Sequence, residues 1–442
     1  MHGLRLRTIR YSSSTDRWVA EVLARESWTP KQWHDWQQER LARMLWHATR
    51  KVPYYRQQWE ARRRRGDGSS VELLENWPIL SKESVREKPQ AFVADGVKLG
   101  EQVVEHTSGT TGKPLTLWMS IDAVRQWYAH FEARWRGWYG LSRRDRWGIL
   151  GGQMVTPYKQ KMPPFWVWNL GLNQLYLSSY HLAPANIAAY LRAIRDHGLI
   201  YLLGYASALF SLAQSALEQG LDIPALKAVI SNAEPLYAHQ KEIISQAFQC
   251  AVHDTYGLSE NVCAASECGE GNLHLWPDVG AAEIFRDDSN EPAPPGEVGR
   301  LVCTGLLNRT MPLIRYMVGD RAATSDQPCR CGRAMPILQC IEGRIDDVVL
   351  TADGRRVGRL DSIFKSEMPI REAQIIQQEL DQFQVRIVPA IGYDSTVGQV
   401  IAERLCNRVG NVDVSIEIVS SIPHCTNGKF RAVISQLERI SP

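Results

Sequence analysis

The sequence predicts an α/β protein, with a large multi-lobed N-terminal domain of mostly parallel sheets over residues 1–345 and a small α+β C-terminal domain over 346–442. Three observations carry that reading. The chain has 442 residues, more than one compact core accommodates. Between residues 145 and 305 short apolar runs alternate with helical patterns, as parallel strands joined by helices do. All 15 tryptophans lie at or before Trp276, which leaves a plainer C-terminal stretch.

Thr29-Pro30 offers a capping hydroxyl and a proline at a first helical position. Trp33, Trp36, Arg40, Leu41, Met44, Leu45 and His47 follow at three- and four-residue steps, so a helix begins there and ends at Val52-Pro53-Tyr54-Tyr55. The basic run Arg62 to Arg65, followed by Gly66-Asp67-Gly68, reads as a solvated loop. A second helix is expected from Ile121 to Trp138, with Val124, Trp127, Tyr128, Phe131, Trp135 and Trp138 on one side, a stripe better suited to core than to ligand. Trp147 to Leu150, Leu199 to Leu203, Ala228 to Ile230 and Ile284-Phe285 read as strands, and Pro184 to His197 and Ala206 to Gln219 as helices. Asp287 to Gly296 makes an exposed turn. Beyond a boundary near Asp346 come a strand at Phe383 to Val388, a helix near Val397 to Arg408 and a strand at Val412 to Val419.

Composition narrows the function. With 44% hydrophobic and 22% charged residues, the chain is neither a disordered tail nor a coat of charge. A net charge of +3 from 51 basic and 48 acidic residues calls for no nucleic acid. No run reaches the roughly 18 apolar residues of a membrane span, and Met1-His2-Gly3-Leu4-Arg5 has no apolar signal core. The expected setting is cytoplasmic, where nine cysteines stay reduced.

Cys268 and His274 share a glycine-rich segment, and Cys329-Arg330-Cys331-Gly332 follows later. In a reducing compartment two thiols one residue apart, plus a Cys/His pair, fit the four soft ligands of a closed zinc site. On spacing alone, four unrelated residues remain the alternative. Cys250, Cys263, Cys303, Cys340, Cys406 and Cys425 read as small apolar residues.

Thr107-Ser108-Gly109-Thr110-Thr111-Gly112-Lys113-Pro114 is the strongest chemical signal. Glycines admit phosphate oxygens to backbone N–H groups, hydroxyls add donors, and Lys113 adds a point charge. It is not a Walker A loop, because Pro114 stands where that loop requires Ser or Thr.

This segment resembles the phosphate loop of the adenylate-forming superfamily, which includes acyl-CoA ligases, peptide-synthetase adenylation domains and luciferases. Four further segments are similar and in the same order: Tyr256-Gly257-Leu258-Ser259-Glu260, Arg315-Tyr316-Met317-Val318-Gly319-Asp320, Gly343-Arg344-Ile345-Asp346-Asp347 and Asn427-Gly428-Lys429-Phe430-Arg431. The resemblance implies activation of a carboxylic acid by MgATP as an acyl adenylate, then transfer of the acyl group to a nucleophile. It implies that Ser108 to Lys113 hold the β- and γ-phosphates with Thr107 in the same cofactor-binding loop, Glu260 binds Mg²⁺, and Tyr256 stacks on adenine with Gly257 beside it. Asp320 would take the ribose hydroxyls and Arg344 would lie near ribose and phosphate. Asn232-Ala233-Glu234 would shape the adenine and acyl pockets. Asp346 would be the hinge of a mobile C-terminal domain, and Lys429 would bridge the forming bond between carboxylate and α-phosphate.

Val52-Pro53-Tyr54-Tyr55, Trp77-Pro78-Ile79-Leu80-Ser81-Lys82 and Cys329-Arg330-Cys331-Gly332-Arg333 look like the phenylacetate-CoA ligase group and its CapK-type relatives. Structural zinc occurs in some members, which favours zinc on Cys268, His274, Cys329 and Cys331. Leu350 to Val357 looks closer to the CapK-type branch. The implied partners are a small carboxylic acid and CoA. The alternatives are an amine, hydroxyl or carrier-protein thiol as acceptor, or a nucleotide-binding relative without catalysis. The sequence leaves the oligomeric state open, a homodimer included.

Overall fold

Thr29 caps its helix: its hydroxyl accepts from the Gln32 amide, Gln32 answers at the Thr29 amide, and α3 (Pro30–Lys51) runs to Val52. The computed structural model describes residues 2–106, 115–153, 155–157, 160–342, 349–352, 356–357, 360–364, 368–423 and 431–437. Helices α1 (His2–Arg10) and α2 (Thr15–Ala24) precede α3, and α4 (Pro53–Arg64) follows it. Arg62, Arg63 and Arg64 therefore form the last turn of a helix and not the expected loop. Basic groups suit that negative end of the helix dipole, and Arg62 and Arg63 fold onto Asp67 and Ser69.

A short helix, α5 (Lys82–Glu87), is capped by Ser81. Strands β1 (Val103–His106) and β2 (Thr116–Met119) pair antiparallel, with His106 opposite Thr116. The helix expected from Ile121 to Trp138 then changes pitch. α6 (Ile121–His130) is α-helical, Phe131–Arg136 form a wider π turn, and Gly137–Tyr139 a 3-10 turn. Every residue of the π turn is buried, including Glu132, Arg134 and Arg136. Glu132 and Arg136 pair with each other within the turn at 3.0 Å, while Arg134 is matched at long range, donating to both oxygens of Asp278, at 2.6 and 3.1 Å, and to Glu26 at 2.8 Å. The π turn thus carries both a local and a long-range ion pair in a buried setting.

The main body is built on a twelve-stranded sheet. Its strands in chain order are β3 (Trp147–Gly151), β4 (Trp166–Asn169), β5 (Gln174–Ser178), β6 (Tyr201–Tyr205), β7 (Ala228–Asn232) and β8 (Ala251–Gly257). They continue with β9 (Ala264–Glu267), β10 (Leu273–Leu275), β11 (Gly280–Phe285), β12 (Gly299–Gly305), β13 (Tyr316–Ser325) and β14 (Ile337–Glu342). The spatial order is β11, β12, β13, β14, β10, β9, β8, β7, β6, β3, β5, β4. Parallel pairing is confined to the run β5, β3, β6, β7, β8. The other neighbours pair antiparallel, so the mixed α/β class holds while the parallel part covers only residues 147–257.

The parallel strands read as continuous apolar runs because both faces are covered. On one face α7 (Ile187–Asp196), α8 (Ala206–Glu218) and α9 (Ala238–Phe248) pack Leu191, Leu209, Leu212 and Phe248 against Leu150, Leu202, Val229 and Val252. On the other, Trp127, Phe131, Trp135 and Trp276 cover Trp147, Tyr201, Leu203 and Ile230. Leu45, Tyr55, Trp59 and Trp77 from the N-terminal region join Leu301, Tyr316 and Leu338 of the antiparallel half in another core. Each such buried side chain contributes about 2 kcal/mol by area.

The C-terminal region has its own α+β unit. β15 (Val349–Leu350) pairs with β16 (Arg356–Val357). A four-stranded sheet follows, made of β17 (Ile370–Gln377), β18 (Gln382–Pro389), β19 (Asp413–Ile418) and β20 (Val433–Ser435) in the order β19, β18, β17, β20. Helix α10 (Ser395–Val409), capped by Asp394, packs Ile401 and Leu405 with Ile375, Phe383, Val385 and Val433 in a separate core. The boundary expected near Asp346 lies outside the described residues.

Candidate active site

In open α/β sheets, ligands bind beyond the carboxyl ends of the parallel strands. A cavity of about 460 Å³ lies there, lined by Gly151 from β3, Tyr205 from β6, Asn232 from β7 and Gly257 from β8. Trp127, Tyr128, Trp135 and Tyr176 add aromatic walls, and Glu105 and His106 of β1 also face it. Gly257 is closely packed, since a Cβ there would lie 3.0 Å from the Trp135 ring.

Glu260, just past β8, is buried at this cavity. Its Oε1 accepts from the Tyr316 hydroxyl at 3.0 Å and lies 3.4 Å from Lys82 Nζ. Burial, with the Glu260 carboxylate beside it, holds the Tyr316 phenol far above its ordinary range, so it stays protonated and donates. Tyr256, expected to stack on adenine, and Asp320, expected to take the ribose hydroxyls, are also brought together: the Tyr256 hydroxyl donates to Asp320 Oδ2 at 2.6 Å. Burial and that carboxylate raise the Tyr256 phenol well above its usual value.

Asn232, Ala233 and Glu234 divide their work. Asn232 and Ala233 line the cavity, and Ala233 adopts the left-handed region at φ 65°. Glu234 turns to the neighbouring helix, where its Oε2 accepts from the Ser207 amide in the first turn of α8 at 2.9 Å. Thr107, Ser108, Gly109, Thr110, Thr111, Gly112 and Lys113, together with Arg344, Asp346 and Lys429, lie outside the described residues. Lys82 and Tyr316 sit inside segments that resemble the superfamily, yet neither had a role from sequence. For Lys82 the available signal was Ser81, a helix cap that fixes the direction of the following side chains.

A second cluster lies apart from the cavity. Cys268, His274, Cys329 and Cys331 converge with their ligand atoms all within 4.8 Å of one another. Cys268 Sγ is 3.6 Å from Cys329 Sγ, and Cys331 Sγ is 3.3 Å from His274 Nε2. A tetrahedral zinc separates two sulfurs by about 3.8 Å, so the donor set and spacing fit that ion. His274 Nδ1 lies 3.1 Å from the Met335 carbonyl, which leaves Nε2 toward the cluster. Burial pushes the Cys268 thiol up to about 11, while at Cys329 burial is outweighed by hydrogen bonds from Cys331 and Asn272, which lower its thiol. The loop is tied to the N-terminal helices by Arg333, which donates to Glu26 at 2.8 Å.

The model of the AMP-binding enzyme family matches residues 34–309. The chain belongs to that family. It is therefore an adenylate-forming, AMP-forming ligase by descent, and its residues 349–436 match the CapK C-terminal domain. Protein CapK of Staphylococcus aureus is 25% identical over 382 residues, covering 84% of this chain and 82% of that protein. Phenylacetate-coenzyme A ligase of Pseudomonas putida is 26% identical over 422 residues, covering 91% and 86%. A crystal structure of 2-hydroxyisobutyryl-CoA ligase in the postadenylation state with 2-HIB-AMP superimposes with a TM-score of 0.72 at 22% identity, covering 93% of this chain and 91% of that one. That last likeness establishes the shared fold. No described helix of this AMP-binding enzyme is long and apolar enough to cross a membrane.

Proposed function

We propose that the enzyme activates a small carboxylic acid with ATP and then transfers the acyl group to the thiol of CoA. The acid's carboxylate oxygen attacks the α-phosphorus of ATP and expels pyrophosphate. The CoA thiolate then attacks the acyl carbonyl and expels AMP, a far better leaving group than oxide. Neither step needs a protein nucleophile. Both need charge neutralisation at phosphate and a water-poor acyl pocket.

The observation that carries this reading is the cavity beyond the strand ends, with Glu260 and the segment bearing Tyr256 at its edge, in a chain of the AMP-binding family. Glu260 supplies a hard carboxylate oxygen for Mg²⁺, which would neutralise charge on the triphosphate. Asp320 accepts ribose hydroxyls while Tyr256 keeps its carboxylate oriented. Ser108 to Lys113 hold the β- and γ-phosphates, Arg344 lies near ribose and phosphate, and Lys429 bridges carboxylate and α-phosphate. Asp346 is the hinge about which the C-terminal unit exposes the adenylate to its acceptor. Cys268, His274, Cys329 and Cys331 hold a structural zinc that fixes the loop after β13.

Pyrophosphate release across aryl, fatty and amino acids tests the first step, and CoA-dependent AMP release tests the second. No pyrophosphate with any acid would overturn the proposal. A second reading, raised by the resemblance to CapK-type relatives, passes the same adenylate to an amine, hydroxyl or carrier-protein thiol. Adenylation without CoA-dependent turnover is the result that selects it.

A further inference from the structure

A second pocket, also of about 460 Å³, is walled by the turn between α1 and α2, by Arg143-Arg144 ahead of β3 and by Gly171 to Asn173 ahead of β5. β3 and β5 run parallel, so these walls stand at the amino ends of the strands. The candidate active site opens at the carboxyl end of β3, about 13 Å of strand away.

Three arginines, Arg7, Arg143 and Arg144, line this second pocket against a single acidic side chain, Asp16. Arg143 is a fixed fork. Its Nη1 lies 3.3 Å from Glu132 Oε1, its amide donates to the same carboxylate, and its guanidinium stands 5.2 Å from the centre of the Tyr11 ring. Glu132 is itself matched by Arg136, so it does not cancel Arg143. Asp16 bridges the arginines, accepting from Arg143 Nη2 on one carboxylate oxygen at 2.6 Å and from Arg144 Nη2 on the other at 3.0 Å. Two guanidinium groups thus converge on one small anion, the arrangement by which arginine forks take phosphate oxygens. Asp16 is a weak occupant, since its side chain is 64% exposed and exposed ion pairs exchange readily with water. Arg7, in the last turn of α1, makes no ion pair among the described residues, so turning Asp16 outward leaves three cations to one incoming anion. The Ser12 and Ser13 hydroxyls of the turn add neutral donors. The volume is that of a small-molecule site and exceeds what a lone phosphate fills.

We propose that this pocket binds the phosphate group of a small phosphorylated molecule, with Arg7, Arg143 and Arg144 holding its oxygens and Asp16 displaced as they do so. The ligand is distinct from the ATP of turnover, because β3 separates the two cavities. The site stands whether or not the chain adenylates an acid.

Inorganic phosphate, pyrophosphate and phenyl phosphate are the probes, titrated calorimetrically into the full chain at low ionic strength, where screening is least. At least one should bind. Arg7→Ala and Arg144→Ala should each weaken that binding about fivefold or more, and Asp16→Asn, which removes the competing charge, should tighten it about fivefold or more. All three side chains are exposed, so the variants should fold as the parent does. Phenyl phosphate bound ahead of inorganic phosphate gives the natural ligand an organic body, and pyrophosphate bound first gives it a diphosphate; either supports the site. No binding by any probe overturns the inference, as does binding that appears only in Asp16→Asn, since the native carboxylate then keeps the pocket closed. Binding weakened by both arginine variants but not tightened by Asp16→Asn overturns the displacement of Asp16. Binding insensitive to all three substitutions overturns the site and assigns the anion to the nucleotide cavity instead.

Discussion

The Tyr256 hydroxyl donates to Asp320 across 2.6 Å, joining β8 to β13, strands that are not neighbours in the sheet. On the proposed role of Asp320 as acceptor of the ribose hydroxyls, its carboxylate is held by a further donor from the protein. Tyr256→Phe is expected to lower kcat/KM for ATP about tenfold or more and leave the acid's KM within about twofold. Initial rates of pyrophosphate exchange at varied ATP and varied acid check this, and a change confined to the acid's KM would contradict it.

Glu260 is buried at the cavity, and its proposed role is to hold a cation at the phosphates. Glu260→Gln retains the shape and can still accept from Tyr316, so the fold should persist while adenylation falls about a hundredfold, with partial recovery at high Mg²⁺. Lys82→Met instead leaves the buried carboxylate without its cation and should lower stability by about 1–3 kcal/mol, read by urea unfolding.

The Cys268, His274, Cys329, Cys331 cluster should carry close to one zinc per chain. Elemental analysis showing less than about half a zinc per chain would count against a structural site. Cys331→Ser removes one ligand and should lower both zinc content and Tm together.

Lys429→Ala is expected to abolish adenylate formation while sparing acyl transfer from a supplied acyl adenylate. Equal loss of both half-reactions would remove Lys429 from its assigned role. Asp346→Pro should stall one or both half-reactions, and unchanged rates in both would refute a hinge there.

Asp278 carries a pH signature. Burial opposes its charge, but Arg134 and His130 outweigh burial and hold the carboxyl well below its ordinary range. A carboxyl depressed in the folded state stabilises the protein at pH above about 4, and that stability is lost as pH falls toward the folded value. Asp278→Asn should cost about 3–5 kcal/mol at neutral pH, because Arg134 is left buried and underpaired. It should also flatten the acid limb of the stability profile measured by urea unfolding. An unchanged acid limb would show that Asp278 does not govern it.

What could be read from sequence was local or compositional. Thr29-Pro30 marks α3 because capping is settled within one turn, and the apolar runs of β6 and β7 announce burial on both faces. The Cys/His set was legible because its residue types are rare outside metal or redox chemistry. The π turn was not, because it depends on Arg134 finding Asp278 and Glu26, partners far away in the chain. Lys82 escaped for the same reason, as nothing near it in sequence announces Glu260. The antiparallel half of the sheet escaped, Ile284-Phe285 of β11 apart, because charged residues interrupt its apolar runs, as Glu283 of β11 does, paired with Arg315 just before β13. Glu234 shows the limit of a motif: its segment reaches the cavity while its carboxylate caps α8.

The π turn at Phe131–Arg136 has one more consequence. It places Trp135 on the cavity beside Trp127 by virtue of chain length, since each residue added to or removed from a helix rotates everything beyond it by about 100°. A single deletion among Phe131 to Arg134 would swing the Trp135 indole out of the wall without altering any cavity residue. Relatives could thus acquire pockets of different shape through insertions and deletions, a route that comparison of aligned side chains alone would overlook.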